Sequence, residues 1–410
     1  MKKTLFPLVL IVSILAVSSC QKSEVINAVQ EIESPVYLTD PAAGSIIPNK
    51  YIVVLQRDVM PLSKFKAEMP YEEKLGLVRE MAEEIQNEYT EESIQIEHAF
   101  YQVMLGYSAE LSSKQVEELK KDRRVLMVVP DRVVSVGKPD KPGKPGKPGG
   151  GDGDSDPQQT PYGIGMVNGT SYSGGNVAWI LDSGIDLDHP DLNVNVTLSR
   201  SFLSGRQSSN PDDQNGHGTH VAGTVAAIDN NIGVVGVAAG ATVISVRVLD
   251  RKGSGSTSGV INGVDYVAAN GSAGDVANMS LTGGAYTLLD DAVKSAAANG
   301  IRFCLASGND GRDANNYSPA RANANNVYTV AAMNSSKVWA SFSNYSSPPV
   351  DYIEPGVNVL SCWKNGGYNT ISGTSMATPH LAGVLLLGTV SSGGTVSGPP
   401  SSTSYTIGVH

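Results

Sequence analysis

Hydrophobic positions fall into three regimes along the chain. The first is a continuous apolar run, Leu5 to Val17, behind Lys2 and Lys3. At about 13 residues it is too short to span a bilayer and has the length of a signal-peptide core, so residues 1–19 read as an export signal. Residues 20–46 are polar and irregular and read as a tether. From Ile47 the pattern becomes periodic. Tyr51-Ile52-Val53-Val54-Leu55 is a β-branched run suited to a buried strand. Between Glu72 and Tyr89, Leu75, Val78, Met81 and Ile85 recur at helical spacing. Phe100 to Leu105 reads as a further strand. Ser112 and Gln115 have capping-box spacing ahead of Val116 and Leu119, and Val125 to Val129 reads as a closing strand. Strands and helices in this order over about 90 residues predict a small α+β, ferredoxin-like domain at residues 47–136.

Residues 137–157 interrupt the rhythm with Lys-Pro repeats followed by glycine and aspartate. Proline stiffens the first half and glycine loosens the second, which predicts an extended linker open to proteolysis. Over residues 158–410 a third regime appears. Short unbroken apolar runs, Val177 to Leu181, Val243 to Leu249 and Val276 to Met279, alternate with helical stretches at His217 to Ala227, Val260 to Asn270 and Leu288 to Asn299. Strands without polar alternation are buried on both faces, so this region is predicted to be α/β, a mostly parallel sheet with helices on both faces. In such sheets sites form at the carboxyl ends of the strands.

Charge narrows the function. A net charge of −10, with 17% charged residues, removes an electrostatic case for a nucleic-acid partner. The three cysteines, Cys20, Cys304 and Cys362, fit neither a zinc site nor a disulfide framework. Cys304 lies in an apolar run and reads as a small buried hydrophobe; whether it pairs with Cys362 the spacing leaves open.

Three segments carry candidate chemistry. Asp182 leaves the Val177–Leu181 run into Ser183-Gly184, and an aspartate at the end of a buried strand needs a partner such as an imidazole. His217 stands between Gly216 and Gly218 at the start of a small-residue helix, where glycine permits close approach. His220 follows one turn later, but the remaining histidines form no ligand group, which argues against zinc. Ser375 precedes a helix in Gly373-Thr374-Ser375-Met376-Ala377-Thr378-Pro379-His380. Pro379 is tolerable there only in the first turn, and the helix N-terminus offers free N–H groups where an oxyanion would form.

Together, Asp182-Ser183-Gly184, His217-Gly218-Thr219-His220 and the Ser375 block resemble the three signature segments of the subtilase family, in its order, over roughly Pro161 to Gly383, and look like its subtilisin and proteinase K groups. Residues 47–136, opening with Ile47-Pro48-Asn49-Lys50-Tyr51, resemble that family's inhibitor-type propeptide. Val17-Ser18-Ser19-Cys20 resembles a lipoprotein box, implying lipidation at Cys20 and a cell-envelope location before maturation, with the protease released afterwards. The subtilase resemblance implies a serine endopeptidase acting on protein or peptide substrates, with Ser375 as nucleophile, His217 as proton carrier, Asp182 as its orienter and Asn309 as oxyanion donor. It implies that substrate lies as an extended strand between Gly253-Ser254-Gly255 and Ser280-Leu281-Thr282, with Ser307, Gly308 and Tyr317 around the first specificity pocket. Thr282 and Ser307 stand where relatives usually carry glycine and alanine. A narrowed pocket and a small or medium apolar preference follow.

It further implies structural calcium held by Asp191 and by Ile228, Asn230, Ile232 and Val234, with Gln158 added, and a second site at Asp351. The own propeptide is expected to inhibit in the same molecule, and self-cleavage is expected between Ser135 and Pro157. Only 35 residues follow Ser375 and Ser391 to Ser404 is polar, so the family's closing helices are expected to be shortened or missing. Two other readings share these residues: an inert, binding lipoprotein of the same fold, and an acyl transferase using the same triad.

Overall fold

The computed structural model describes residues 43–59, 65–66, 68–90, 94–136, 157–399 and 402–410. The export signal, Cys20 and most of the tether and linker lie outside them.

The N-terminal segment follows its hydrophobic code. The helix Tyr71–Asn87 buries Leu75, Val78, Met81, Ala82 and Ile85 on one face. Complete burial of residues such as Val78 and Ile85 is worth about 1.5–3 kcal/mol each. Ser112 caps the helix Ser113–Leu119 in the predicted box: its Oγ accepts the Gln115 N–H at 3.3 Å, and its own N–H donates to the Gln115 carboxamide at 2.7 Å. Behind these helices lies an antiparallel sheet ordered Val125–Ser135, Ile46–Leu55, Gly106–Glu110, Ile96–Phe100.

Two expectations are corrected here. Phe100 to Leu105 is not a strand; it is the end of one strand and the turn into the next. Its residues are apolar because Phe100, Val103 and Met104 pack into the core of the larger domain. The closing strand runs on from Val129 to Ser135, through Pro130 and the charged pair Asp131-Arg132. Asp131 is tolerated there because Ser258 of the larger domain donates its N–H at 3.0 Å and its hydroxyl at 2.6 Å to that carboxylate.

The larger domain is built on a sheet ordered Ser391–Gly398, Thr403–Val409, Val350–Pro355, Val327–Met333, Arg302–Ala306, Val276–Met279, Ala178–Asp182, Thr242–Arg247, Asn193–Val194. All of its pairings are parallel except that of the first two strands. Trp179, wholly buried in a central strand, donates its indole N–H to Asp275 at 3.1 Å, so its one polar atom is satisfied inside the core. Two helix pairs pack against the sheet: His217–Ala226 with Thr374–Leu387, and Thr257–Asn270 with Thr287–Ala297.

The polar tail forms strands. Ser391–Gly398 and Thr403–Val409 form a hairpin that extends the sheet, turning Val396, Tyr405, Ile407 and Val409 onto Met333 and Ile353 while Ser391, Ser392, Ser397 and Ser404 face solvent. The two predicted domains keep their own cores yet share one: Ile52, Val134 and Val136 belong to the same apolar cluster as the central strands, and the described residues form a single compact unit.

Candidate active site

Asp182 is the last residue of its strand and His217 the first of its helix, so the parallel architecture delivers them to the same sheet edge. His217 Nδ1 lies 2.8 Å from Asp182 Oδ1, and both side chains are wholly buried. Asp182 Oδ1 also accepts the Ser183 N–H at 2.7 Å. Gly218 is required by closeness: a Cβ there would stand 2.1 Å from the Gly184 carbonyl and 3.1 Å from Asp182 Cβ. Ser375 is the second residue of the Thr374–Leu387 helix, which packs against the helix that His217 begins. Its hydroxyl donates to the Ser280 carbonyl at 3.1 Å. Asn309, three residues beyond the strand Arg302–Ala306, turns its carboxamide oxygen to the Thr374 N–H and hydroxyl, both at 2.8 Å. That leaves its NH₂ on the side of Gly373 and the Ser375 N–H, where a Cβ on Gly373 would meet both within 3.7 Å.

The segments expected to hold substrate flank a slot, and the slot is filled by the N-terminal domain. Ser254–Ser256 pairs antiparallel with Val133, Val134 and Ser135. On the other side Ser135 and Thr282 exchange both backbone bonds, at 3.0 and 3.1 Å, and Val136 N–H donates to the Gly253 carbonyl at 3.0 Å. Thr282 is buried at the pocket, and Tyr317-Ser318 pairs with Gly283-Gly284 beside it. Burial, with the Asp310 carboxylate beside it, pushes the Tyr317 phenol up to about 12. Gly308 has φ +104°, and a side chain there would collide with Asn344. Ser307 is fully buried with its hydroxyl donated to the Asn344 carbonyl at 3.2 Å, so it stiffens the pocket wall without facing substrate through that group.

Of the remaining candidates, Gln158, Ile228, Asn230, Val234 and Asp191 meet. The Gln158 amide touches the Ile228 carbonyl at 2.7 Å and both Asn230 Oδ1 and the Val234 carbonyl at 3.3 Å. Asp191 accepts from Asn230 Nδ2 at 2.8 Å and from Val234 N–H at 2.9 Å. Ile232 enters through its N–H, donated to Asn230 Oδ1 at 2.7 Å. Asp351 stands elsewhere, accepting the Thr329 N–H at 2.8 Å. Among the described residues no three acidic, histidine or cysteine side chains gather as a metal cluster. His220 spends its ring on the Val359 and Asn369 carbonyls, and Cys304 and Cys362 are separate buried thiols, both raised by burial.

Sequence reasoning missed several residues that hold the site. Asp265 crosses the domain interface, accepting from the Tyr71 hydroxyl at 2.8 Å, the Val103 N–H at 2.8 Å and the Tyr101 N–H at 3.2 Å. Asp213 underlies the histidine helix. Both lie in segments whose local pattern carries no chemistry, and only the three-dimensional partners reveal them.

The site therefore brings together a buried Asp–His pair, a serine at a helix start with an asparagine amide beside it, and a strand of the same chain lying across the cleft. Residues 173–389 match the Subtilase family and residues 50–136 match Peptidase inhibitor I9. Alkaline serine exoprotease A of Vibrio alginolyticus is 39% identical over 83% of this chain, which spans 60% of that relative's length. Extracellular serine proteinase of Thermus sp. is 35% identical over 92% of this chain and 88% of its own. The crystal structure of a cold adapted subtilisin-like serine proteinase is 41% identical, covering 55% of this chain and 83% of its own, with a TM-score of 0.46. The chain belongs to the subtilase family.

Proposed function

We propose that the chain is an exported serine endopeptidase zymogen that cleaves itself at the bond after Gly137 and thereafter hydrolyses extended peptide segments. One observation carries this reading: the chain's own strand lies in the slot between Ser254–Ser256 and Thr282, in antiparallel register. Ser135 faces Thr282; the same register two residues on meets Ser280, whose carbonyl accepts the Ser375 hydroxyl. The next peptide bond is the one delivered to the nucleophile.

In this reaction Ser375 Oγ attacks the scissile carbonyl while His217 Nε2 takes its proton. Asp182, bonded to Nδ1, keeps the imidazole in the tautomer that can accept at Nε2 and stabilises the imidazolium. The Asn309 NH₂ and the Ser375 N–H serve the developing oxyanion. His217 then returns the proton to the leaving amine, and water resolves the acyl-enzyme by the reverse path. Val134 and Val136, buried among residues of the larger domain, support apolar preferences at the fourth and second positions before the cut. A first pocket narrowed by Thr282 suits a small residue before the cut, as glycine is.

Calcium fits the Gln158 loop. The Ile228 and Val234 carbonyls and Asn230 Oδ1 converge on the Gln158 amide nitrogen, so an ion taking that nitrogen's place would meet three oxygens, with the Asp191 carboxylate held beside them by Asn230 and Val234. Bound there, the ion would tie residue 158 to the 228–234 loop and add stability. The lipid is assigned to Cys20 and the cut lies downstream, so maturation frees the peptidase from its anchor. N-terminal sequencing of the first large fragment should begin at Lys138, and a first cut elsewhere refutes the register argument. Failure of Ser375 to react with a fluorophosphonate after maturation would return the inert reading, and joined rather than hydrolysed products the transferase.

A further inference from the structure

We infer that Asp213 is a positioning residue for the catalytic histidine, a buried carboxylate that fastens the His217 helix to the Asp182 strand and supplies negative charge at the helix start. Resting on the peptidase reading, it concerns how that site is held.

The His217–Ala226 helix begins at Gly216, with φ +112° and no side-chain cap of its own. Its first amides must therefore be satisfied by other groups. His217 N–H donates to Asn215 Oδ1 at 3.2 Å, Gly218 N–H to Ser183 Oγ at 3.0 Å and Thr219 N–H to Asp213 Oδ2 at 3.0 Å. Asp213 organises all three. Its Oδ1 accepts the Ser183 hydroxyl at 3.0 Å, the Asn215 N–H at 2.8 Å and the Gly216 N–H at 2.9 Å; its Oδ2 also accepts the Thr219 hydroxyl at 2.7 Å. By taking the Ser183 proton it aims the Ser183 lone pair at Gly218. By taking the Thr219 proton it does the same for the Asp186 N–H, which donates to Thr219 Oγ1 at 3.0 Å. Ser183 is the neighbour of Asp182, so five bonds into one buried side chain clamp the two halves of the Asp–His pair.

The charge has a separate consequence. His217 sits at the positive end of a helix, which opposes the imidazolium that must form during acyl transfer. A carboxylate accepting donors from that same helix turn offsets the opposition. Other charged or titratable groups nearby are Asp182 on the strand, Arg247 on the adjacent strand, Asp186 and Asp212 in the flanking loops, His220 one turn along and Lys364 on the neighbouring hairpin, which donates to the Gln214 carbonyl. They are common to every variant, so a changed pH profile belongs to residue 213.

In the full chain, Asp213→Asn places an NH₂ against donors on one side and removes the charge. Once matured, the variant is expected to show kcat lowered about 10- to 100-fold with KM within about threefold, and the acid limb of kcat/KM moved down by about half a pH unit or more. Ser183→Ala keeps the charge and breaks the bridge; it is expected to lower kcat and the fluorophosphonate labelling rate without moving the acid limb. Folded Asp213→Asn with kcat and acid limb both at wild-type values overturns the inference, as does an acid limb that stays in place. Should Asp213→Asn fail to mature, Ser183→Ala decides: wild-type kcat and labelling rate would then overturn the clamp.

Discussion

Acidification should change the hold of the inhibitor domain little in the wild-type complex, and replacing His98 with asparagine should turn that small change into a clear tightening. His98 is buried against the Thr257–Asn270 helix, its Nδ1 3.1 Å from Asn262 Nδ2 and its Nε2 3.7 Å from where a Cβ on Gly259 would be. Burial, with Arg79 and Lys50 on its own domain adding to it, pushes the imidazole from 6.5 down to about 3. Asp265 lies in the same interface, and burial pushes it from 3.8 up to about 6 against the bonds it accepts from Val103, Tyr71 and Tyr101.

On dissociation both groups return to ordinary values. Free His98 takes up a proton below about pH 6.5 that the complex refuses until about pH 3, so falling pH favours release over that window. Asp265 works oppositely: the complex takes up a proton below about pH 6 that the free protein refuses until about 3.8, so falling pH favours association. At about pH 5 each contributes on the order of 1–2 kcal/mol, the histidine toward release and the aspartate toward binding, so the two largely offset each other. His98→Asn keeps an acceptor for Asn262 and removes the titration, so its complex should tighten about tenfold over the same change. Self-cleaved complex is diluted at each pH and returned to pH 8 for immediate assay of released activity. Identical pH dependence of the two proteins would refute the assignment of the interface proton to His98.

Three further outcomes are expected. Asn309→Ala should lower kcat about 100- to 1,000-fold with little change in KM, read by steady-state kinetics on a peptide ester and amide. Chelation should lower the melting temperature of the mature enzyme while leaving its turnover at 25 °C intact, and Asp191→Asn should abolish the difference between chelated and calcium-loaded melts. Gly408→Ala would set a methyl 2.8 Å from a Glu354 carboxylate oxygen and 2.9 Å from Leu381, and should cost about 1–3 kcal/mol in denaturant unfolding without altering KM.

Much of the site was legible in the sequence because its residues sit where periodicity changes. Asp182 ends an unbroken apolar run, His217 starts a helix between glycines, and Ser375 stands at a helix start, although Pro379, expected in the first turn, lies deeper inside Thr374–Leu387. The slot segments Gly253-Ser254-Gly255 and Ser280-Leu281-Thr282 came only from the family resemblance, not from their local pattern. What escaped were residues whose reason lies in the partner domain. Val103 and Met104 looked like strand and are a docking surface; Asp131, beyond the predicted strand end at Val129, accepts the Ser258 N–H and hydroxyl. The terminal hairpin escaped because its exposed face dilutes the apolar signal to Val396, Tyr405, Ile407 and Val409, spaced across two strands. Glu354 is the extreme case, a wholly buried acid on a strand, its pKa pushed well up by burial while it accepts the Gly408 N–H at 2.8 Å.

When the strand Val125–Ser135 departs, Ser254–Ser256 and Thr282 are left as two ribbons with bare amides and carbonyls facing each other across a one-strand gap. Such a gap grips any main chain of the right shape, and side-chain discrimination is left to the pockets beside it. Folded helices and paired strands are invisible to it until several consecutive residues peel away from their host. Which proteins are cut, and how fast, is then governed largely by the local unfolding free energy of the victim.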